Sequence, residues 1–313
     1  MWMRQTLHRI SKRSWSSLWA GVLAAVLVPA AGFAEDAAGY PAATNAPGEA
    51  AGDTRYGLGN GLDRRSFYNE GNYPEPFLVD DSGLERNEAR LDWWHTKAGD
   101  AHMDWTRLEV ERGFGLVTVE LELPYERDVN RGVVTEGFDN LDLGVRCPFY
   151  QYVSRTGWFD TTFGGGFEVG IPVDTKMSIN PEFVPKVFND TRLGSGFTVQ
   201  TVLGYSVFGG GGEQGGLRTF EYGFTFGYTI QHRELPLPGV RQFIPMFELS
   251  GEKGLNHDAT GENKLEGNIA FRLNLNPLGR VQPRLGFGYV FPLTAAARTE
   301  LHSGYFTSLV FEY

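Results

Sequence analysis

The chain has 313 residues, of which 41 are glycine and 14% are aromatic, and its formal net charge is −10. Three classes of protein are excluded at once. An acidic chain lacks the basic surface of a nucleic-acid binder, and its single cysteine cannot build a disulfide framework. A mean hydropathy of −0.28 is too low for a bundle of membrane helices. The composition therefore favours an all-β protein without a nucleic-acid partner.

Residues 1–34 have the pattern of a secretory signal peptide. Four basic residues precede an apolar run of 11 residues from Leu18 to Val28, and Gly32 and Ala34 are the small residues that a signal peptidase accepts. The run is too short to span a membrane, which disfavours an anchor. We expect export and cleavage near Ala34. Because residues 1–34 contain four basic and no acidic residues, cleavage changes the net charge from −10 to −14.

Residues 35–86 lack the pattern of a folded domain. Alanine, glycine and proline occupy 15 of the 28 positions in 35–62, which leaves too little apolar surface for a core. Residues 63–86 add several aromatic residues, among them Tyr73 and Phe77, and the prolines Pro74 and Pro76. Two interpretations stay open for 35–86: a flexible periplasmic tail or a loose plug.

From residue 87 onward, apolar residues alternate with polar residues or glycine. In 217–231, for example, Phe220, Tyr222, Phe224 and Phe226 fall on one face of an extended chain. A period of two predicts strands with one apolar face, and a soluble sandwich shares it. Strands of this length also match a tilted membrane strand of about 9–11 residues, and a sheet in lipid must close. The sequence thus predicts a closed antiparallel transmembrane β-barrel over 87–313.

The final strand ends on an aromatic residue. Tyr305, Leu309, Phe311 and Tyr313 alternate back from the C-terminus. This pattern resembles the terminal-strand signal by which the outer-membrane barrel assembly machinery of bacteria recognises its clients. Together with the signal peptide, it predicts localisation in the bacterial outer membrane. The expected partners are outer-membrane lipid and the assembly machinery.

The alternation defines eleven strands, whereas bacterial single-chain barrels have an even number, with short periplasmic turns and longer outer loops. A further short strand within 182–190, bent at Pro185, gives twelve strands. The added strand also moves each earlier connection to the opposite side of the membrane, so that 126–139 becomes an outer loop. Ten strands result if 87–97 is not part of the wall. The eleven strands are expected at 87–97, 102–112, 115–125, 140–152, 160–173, 196–208, 217–231, 241–251, 264–276, 281–292 and 302–313.

If the apolar faces meet lipid, the alternate residues line the lumen. Thirteen candidates follow, of which eight are acidic and three are arginine, so some carboxylates should be hydrated, protonated or close to a cation. Two interpretations stay open: an acidic lumen that passes cations or polar solutes, and an Arg–carboxylate network that fills a narrow or plugged barrel. The candidates are Glu120, Glu122, Asp142, Arg146, Glu168, Gln200, Glu221, Glu248, Glu266, Asn268, Arg272, Arg284 and Glu312.

Polar residues at the predicted outer rim include groups that can bind metals or act in catalysis. His95, Asp100, His102 and Asp104 offer imidazole and carboxylate groups, but their spacing matches no known metal site. They make weak metal candidates, and we predict no cofactor. No catalytic residue is predicted either, because His257 and His302, which lie near the predicted rim, lack a serine at a recognisable spacing. A hydrolase is therefore the least favoured alternative.

The order of the barrel segments resembles a family of transporter-like bacterial outer-membrane barrels labelled for the meta-pathway of phenol degradation. The resemblance covers most of 87–313 and concerns wall patterns. It implies a narrow channel or transporter for small solutes, hydrophobic or aromatic ones among them; a structural barrel without transport is the alternative. The similar stretches are LEVERGFGLVTVELELPY (108–125), NLDLGVR (140–146), GGGFEVGIPV (164–173), GSGFTVQTVLGYS (194–206), PMFELSGEKGLN (245–256), GRVQPRLGFGYVFPLTAAARTEL (279–301) and SLVFEY (308–313).

Overall fold

The computed structural model describes residues 73–80, 87–114, 116–154, 158–174, 176–194, 196–212 and 214–313. The predicted signal peptide lies outside these residues, as does the predicted tail or plug apart from 73–80. In the part of the chain that is described, no helix is long and apolar enough to cross a membrane.

The described residues are mostly strand. A short α-helix, α1, spans Ala297–Glu300 and a 3-10 turn spans His257–Ala259. The strands are β1 Glu88–Ala98, β2 Ala101–Phe114, β3 Val117–Asn130, β4 Val133–Phe138, β5 Asn140–Val153, β6 Phe159–Pro172, β7 Glu182–Leu193, β8 Phe197–Phe208, β9 Arg218–Tyr228, β10 Ile230–Gln231, β11 Val240–Gly254, β12 Asn263–Leu275, β13 Gln282–Pro292 and β14 Ser303–Glu312.

Twelve of these strands form a closed antiparallel transmembrane barrel. Each pairs with its neighbours, and β1 pairs with β14 from Glu88↔Glu312 to Lys97↔Ser303, which closes the ring. β4 and β10 lie beside the ring, on β3 and β11 respectively. Because the ring is closed, every wall strand has a neighbour on each side with which its backbone N–H and C=O groups can form hydrogen bonds, as lipid requires. The predicted twelve strands are confirmed, and the ten-strand alternative is wrong because β1 belongs to the wall.

The two ends of the barrel carry different connections. We call the end where β1 begins and β14 ends the terminal end, and the opposite end, which carries α1, the loop end. At the terminal end, 276–281 join β12 to β13; at the loop end, 293–302 join β13 to β14. The connection 229–239 is long although it lies at the terminal end, and it contains β10. Short turns are therefore the trend at the terminal end, with one exception.

The twelfth strand is longer than the sequence indicated. The expectation was a short strand within 182–190, whereas β7 has 12 residues and pairs with both neighbours. Its ladder with β8 omits Val184 and Pro185 and resumes at Lys186↔Gly204. Since proline has no N–H to donate, it interrupts one ladder. The strand continues because its other ladder, to β6, includes Pro185.

The expected outer loop at 126–139 is wrong. β3 continues to Asn130, and β4 returns along it from Val133. Arg131 and Gly132 at the tip both have positive φ, 49° and 80°. Two positive φ values in succession are the requirement of a type I′ turn, which matches the twist of a two-stranded hairpin. The connection is thus a β-hairpin that extends the wall at the loop end.

The outward face of the wall is apolar. Phe163, Phe167 and Ile269 are 42%, 42% and 62% exposed, while their strand neighbours Thr162 and Asn268 are fully buried. A ring of exposed apolar side chains is the surface that a barrel presents to lipid. The period of two seen in the sequence therefore separates a lipid face from a lumen face.

Candidate functional site

One side of the lumen, along β1, β2 and β3, is filled by buried ion pairs. Arg107 pairs with Asp92 at 2.8 Å and with Glu122 at 3.0 Å. Arg90 pairs with the same Asp92, also at 2.8 Å, and neither of these two side chains is exposed. Because an unpaired buried charge is costly, such groups are stable only as complete pairs. This side of the barrel is thus an interlocked ionic network.

Arg146 on β5 continues the ionic network. Its guanidinium pairs with Glu111 and, at 2.9 Å, with Glu120. Two sets of three carboxylates bring one oxygen each within 4.8 Å of one another: Glu88, Glu109 and Glu111, and Glu109, Glu120 and Glu122. Arg107 and Arg146 pair with members of both sets. The guanidinium groups therefore supply the positive charge that a bound cation would otherwise bring.

The other side of the lumen holds residues Tyr73–Asp80, which we call the lumen segment. The segment is not a strand. Its Glu75 is fully buried, and the carboxylate pairs with Arg272 on β12 at 3.4 Å and with Arg284 on β13. The segment is therefore bound to the wall through charge pairs rather than through a sheet ladder.

Backbone groups of the lumen segment also bind inward side chains. Arg272 Nε donates to the Glu75 carbonyl at 2.6 Å, and Arg90 Nη2 donates to the Pro76 carbonyl at 2.6 Å. The N–H groups of Phe77 and Leu78 donate to the two carboxylate oxygens of Glu248 at 2.8 and 3.1 Å. The wall thus supplies the partners that a buried, irregular backbone needs.

The lumen also has an apolar patch. The Phe77 ring stacks on Phe306 with centroids 5.9 Å apart, and Trp94 meets Phe306 edge-on at 4.4 Å. The thirteen predicted lumen residues are all polar, and the structure adds apolar ones, because residues of β11–β14 also face inward and cover this ring. The buried patch consists of Phe77, Ile244, Met246, Ala270, Val290, Leu301 and Phe306.

Inward-facing glycines make room for the lumen segment. A Cβ at Gly286 would lie 2.5 Å from Cζ of Phe77, and one at Gly223 would overlap the side chain of Val79. Contacts this short do not occur between carbon atoms that are not bonded to each other. Only glycine at these two positions lets the wall and the segment approach so closely.

The last residue of the lumen segment makes an ion pair with β7. The Asp80 carboxylate lies 2.5 Å from Nζ of Lys186, which also pairs with Glu168. Val79 packs beside Phe188 and Val202 in a second buried apolar cluster. These contacts, with those of Glu75 and Phe77, fix the segment at several separate points of the wall.

The network and the segment together bury inward side chains in the middle of the barrel. Glu75, Asp92, Glu109 and Glu248 all have zero exposed surface although they face inward. Solvent therefore does not reach these four side chains. Where the network and the segment lie, the lumen is packed with protein atoms.

Above the lumen segment, toward the loop end, lies a cavity of about 280 Å³ that we call the vestibule. Leu78, Val79 and Asp80 form part of its lining. Among the charged lining residues, carboxylates outnumber the single lysine, so the field in the vestibule favours positive charge. The charged lining residues are Asp80, Glu221, Glu252, Lys264, Glu266 and Glu300.

The thirteen lumen candidates all lie on wall strands, on the face opposite the lipid belt. Six of them are buried: Glu120, Arg146, Gln200, Glu248, Asn268 and Arg272. The other seven are partly exposed: Glu122, Asp142, Glu168, Glu221, Glu266, Arg284 and Glu312. Arg272, Arg284 and Glu248 contact the lumen segment, whereas Glu221 and Glu266 line the vestibule.

Sequence reasoning missed inward charges on β1, β2 and β7. The thirteen lumen candidates included only three arginines beside eight carboxylates, and this count was incomplete. Four more basic residues face inward in ion pairs: Arg90, Arg107, Lys186 and Arg192. The signal was present in the period of two: Arg90 and Asp92 alternate with Leu91 and Trp93 in the same strand. The inward face therefore carries more basic residues than the three arginines counted from the sequence.

The weak metal candidates lie at the β1–β2 hairpin. His95 Nδ1 is 2.9 Å from Asp104 Oδ1, and the ring of His102 lies 5.9 Å from that of His95. Asp104 also pairs with Arg127 at 3.8 Å, and Asp100 is exposed at the tip. The structure thus joins His95 and Asp104 as a pair that links the two strands. Their arrangement supports a polar hairpin rather than a chelating site.

Solved structures with a similar fold are barrels of low sequence identity. The COG4313 outer membrane channel from Pseudomonas putida F1 aligns with a TM-score of 0.50 and 12% identity over 76% of this chain and 100% of that chain. The NanC porin aligns with a TM-score of 0.42 and 11% identity over 72% and 98%. No family model and no curated protein matches the sequence. The likeness shows the barrel fold, and neither name carries the phenol meta-pathway label.

Proposed function

We propose that this protein is a gated channel for small solutes in the bacterial outer membrane and that the lumen segment holds it closed. The observation that carries the proposal is an irregular segment, buried in mid-barrel, beneath an open vestibule. A barrel that served only as a wall would not need a cavity leading to a separate, non-covalently held closure. The COG4313 channel of similar fold agrees with this proposal.

The proposed orientation places the terminal end in the periplasm and the vestibule at the cell exterior. It is supported by the predicted export through a signal peptide and by the short turns that prevail at the terminal end, as periplasmic turns do. Tyr313, at the end of β14, would then present the terminal-strand signal to the assembly machinery from that side. The vestibule would be the first part of the channel that an external solute meets.

The solutes proposed are small, with an aromatic or apolar portion. The acidic vestibule attracts cationic groups, and the buried patch around Phe306 accepts a ring. Hydrophobic and polar sites therefore follow one another along the same route. A solute with both kinds of group fits this sequence of surfaces better than a purely apolar one.

The test is to displace the lumen segment by steric means. Gly223→Val adds a side chain that overlaps Val79, so we expect purified protein in planar bilayers to change from rare openings to sustained conductance. Exchanging the two residues, Gly223→Val with Val79→Gly, removes the overlap and should restore the closed behaviour. Heat-modifiable gel mobility confirms that each variant is a folded barrel. If folded Gly223→Val conducts no more than the parent protein, the proposal is wrong.

The second candidate is a structural barrel without transport. The buried network of Arg90, Asp92, Arg107 and Glu109 favours it, because paired charges that fill a lumen stiffen the wall. The same recording decides between the two. If no variant with a displaced segment conducts, the structural barrel is supported. Conductance from Gly223→Val would exclude it.

A further inference from the structure

The lumen segment occupies a place built for a carboxylate. Glu75 supplies the carboxylate, and the wall supplies Arg272 and Arg284 from adjacent strands. When the segment leaves, both guanidinium groups lose this partner while they still line the lumen. Guanidinium groups bind carboxylates in a planar, charge-assisted geometry. Another carboxylate that reaches them would replace Glu75 directly.

A place for an aromatic ring adjoins the carboxylate. The Phe77 ring lies on Phe306, and the guanidinium carbon of Arg272 lies 4.4 Å from the centre of the same ring. A cation over an aromatic face is attracted to it, and offset rings attract each other. One guanidinium thus touches both the carboxylate and the ring. The two groups lie close enough to belong to a single small solute.

A third group of the wall needs a hydrogen-bond donor. Glu248 is fully buried and accepts the N–H groups of Phe77 and Leu78, while Asn268 donates to it at 2.8 Å. Withdrawal of the segment removes two of these three donors. A buried carboxylate that loses donors favours a replacement, and an ammonium group supplies both donors and charge.

The charge of the vestibule lining selects solutes by their net charge. After the segment and its Asp80 have left, the charged lining that remains on the wall has four carboxylates and one lysine, an excess of three negative charges. A solute with only a carboxylate would be repelled on its way to Arg272. A zwitterion has no net charge, and its ammonium group is attracted into the vestibule.

We infer that the lumen segment stands in for a zwitterionic aromatic solute, of the chemical class of aromatic amino acids and their short peptides. Its carboxylate binds Arg272 and Arg284, its ring packs on Phe306, and its ammonium group binds Glu248. The inference rests on the proposed function, because the solute reaches this site only when the segment leaves. Solute and segment therefore compete for one place in the lumen.

The test measures uptake of labelled L-phenylalanine into liposomes that contain the Gly223→Val variant, whose site residues are unchanged. Three competitors each lack one group: phenylacetate lacks the ammonium, 2-phenylethylamine the carboxylate and L-cyclohexylalanine the aromatic ring. We expect unlabelled L-phenylalanine to compete at least about tenfold better than each analogue, since one charged hydrogen bond or ring contact changes affinity by about that factor. Protein-free liposomes give the background.

Two variants on the same background assign the groups. Arg272→Gln should lower uptake of L-phenylalanine about tenfold while potassium chloride conductance persists. Glu248→Gln should shift the preference from L-phenylalanine toward phenylacetate, which a merely structural role would not do. If Gly223→Val conducts potassium chloride but all four compounds compete equally, the inference about the solute is wrong, while the proposed channel function is supported. If it conducts nothing, the proposed function itself has failed.

Discussion

The pairing of Glu75 with two arginines makes a quantitative prediction about gating. Glu75→Gln removes the negative charge and leaves the shape of the side chain. In the closed state Arg272 is 1% exposed and would face an uncharged partner in a buried setting, whereas Arg284 would keep its pair with Glu312. Removing one partner of a buried ion pair costs about 3–5 kcal/mol. In the open state Glu75 and the wall have separated, so the substitution costs little there.

The difference between the two states sets the size of the effect. If the substitution destabilises the closed state by about 3 kcal/mol relative to the open state, the ratio of open to closed channels rises about 100-fold. Each 1.4 kcal/mol changes this equilibrium ratio by a factor of ten. Single-channel recording in planar bilayers measures this ratio directly. The conductance of one open channel should stay the same, because the wall is unchanged.

A matched control isolates the role of the lumen segment. Glu312→Gln also removes a carboxylate that pairs with Arg284, but Glu312 belongs to β14 and stays beside Arg284 in both states. We expect the open-to-closed ratio of Glu312→Gln to equal that of the parent protein. A Glu75→Gln variant that folds and yet opens no more often than Glu312→Gln would refute the reasoning.

Two further predictions concern the vestibule and the ionic network. Glu221→Gln with Glu252→Gln, made on the open Gly223→Val background, should move the zero-current potential in a salt gradient toward non-selectivity, because these carboxylates line the vestibule and attract cations. An unchanged potential would place the selectivity elsewhere. Arg146→Ala leaves Glu111 and Glu120 buried together without their guanidinium, so the barrel should lose about 3–5 kcal/mol of stability and unfold at a lower temperature on heat-modifiable gels. An unchanged unfolding temperature would show that the network does not stabilise the wall.

The wall of the barrel could be predicted from the sequence because its signal is local. Alternation at i and i+2 assigns each side chain of a strand to lipid or lumen without knowledge of its neighbours. The lipid-facing belt follows from the same period and from the need to close a sheet in lipid. The twelfth strand was predicted from the even strand number of bacterial single-chain barrels, because Pro185 obscured its local pattern.

The wall prediction failed where local patterns conflicted with tertiary contacts. The hairpin at 126–139 was predicted as a loop because the count of twelve strands placed it between two strands at the outer end. Its charged side chains are compatible with strands that extend beyond the lipid at the loop end, and the pairing of β3 with β4 decided the structure there. The apolar patch around Phe306 was missed for a different reason. Its residues face the lumen because they pack against the Phe77 ring of the lumen segment.

The sequence by itself determined the barrel, its strand directions and the sign of the charge inside it. The tertiary structure alone decided what fills the lumen. Phe77 reaches Glu248 across 171 positions of the chain, and the Glu75 carbonyl reaches Arg272 across 197. Pairing over such separations depends on strand register and on the closure of the ring, which no local period encodes. For that reason a stretch that offered two interpretations, tail or plug, has eight residues at the centre of the proposed gate.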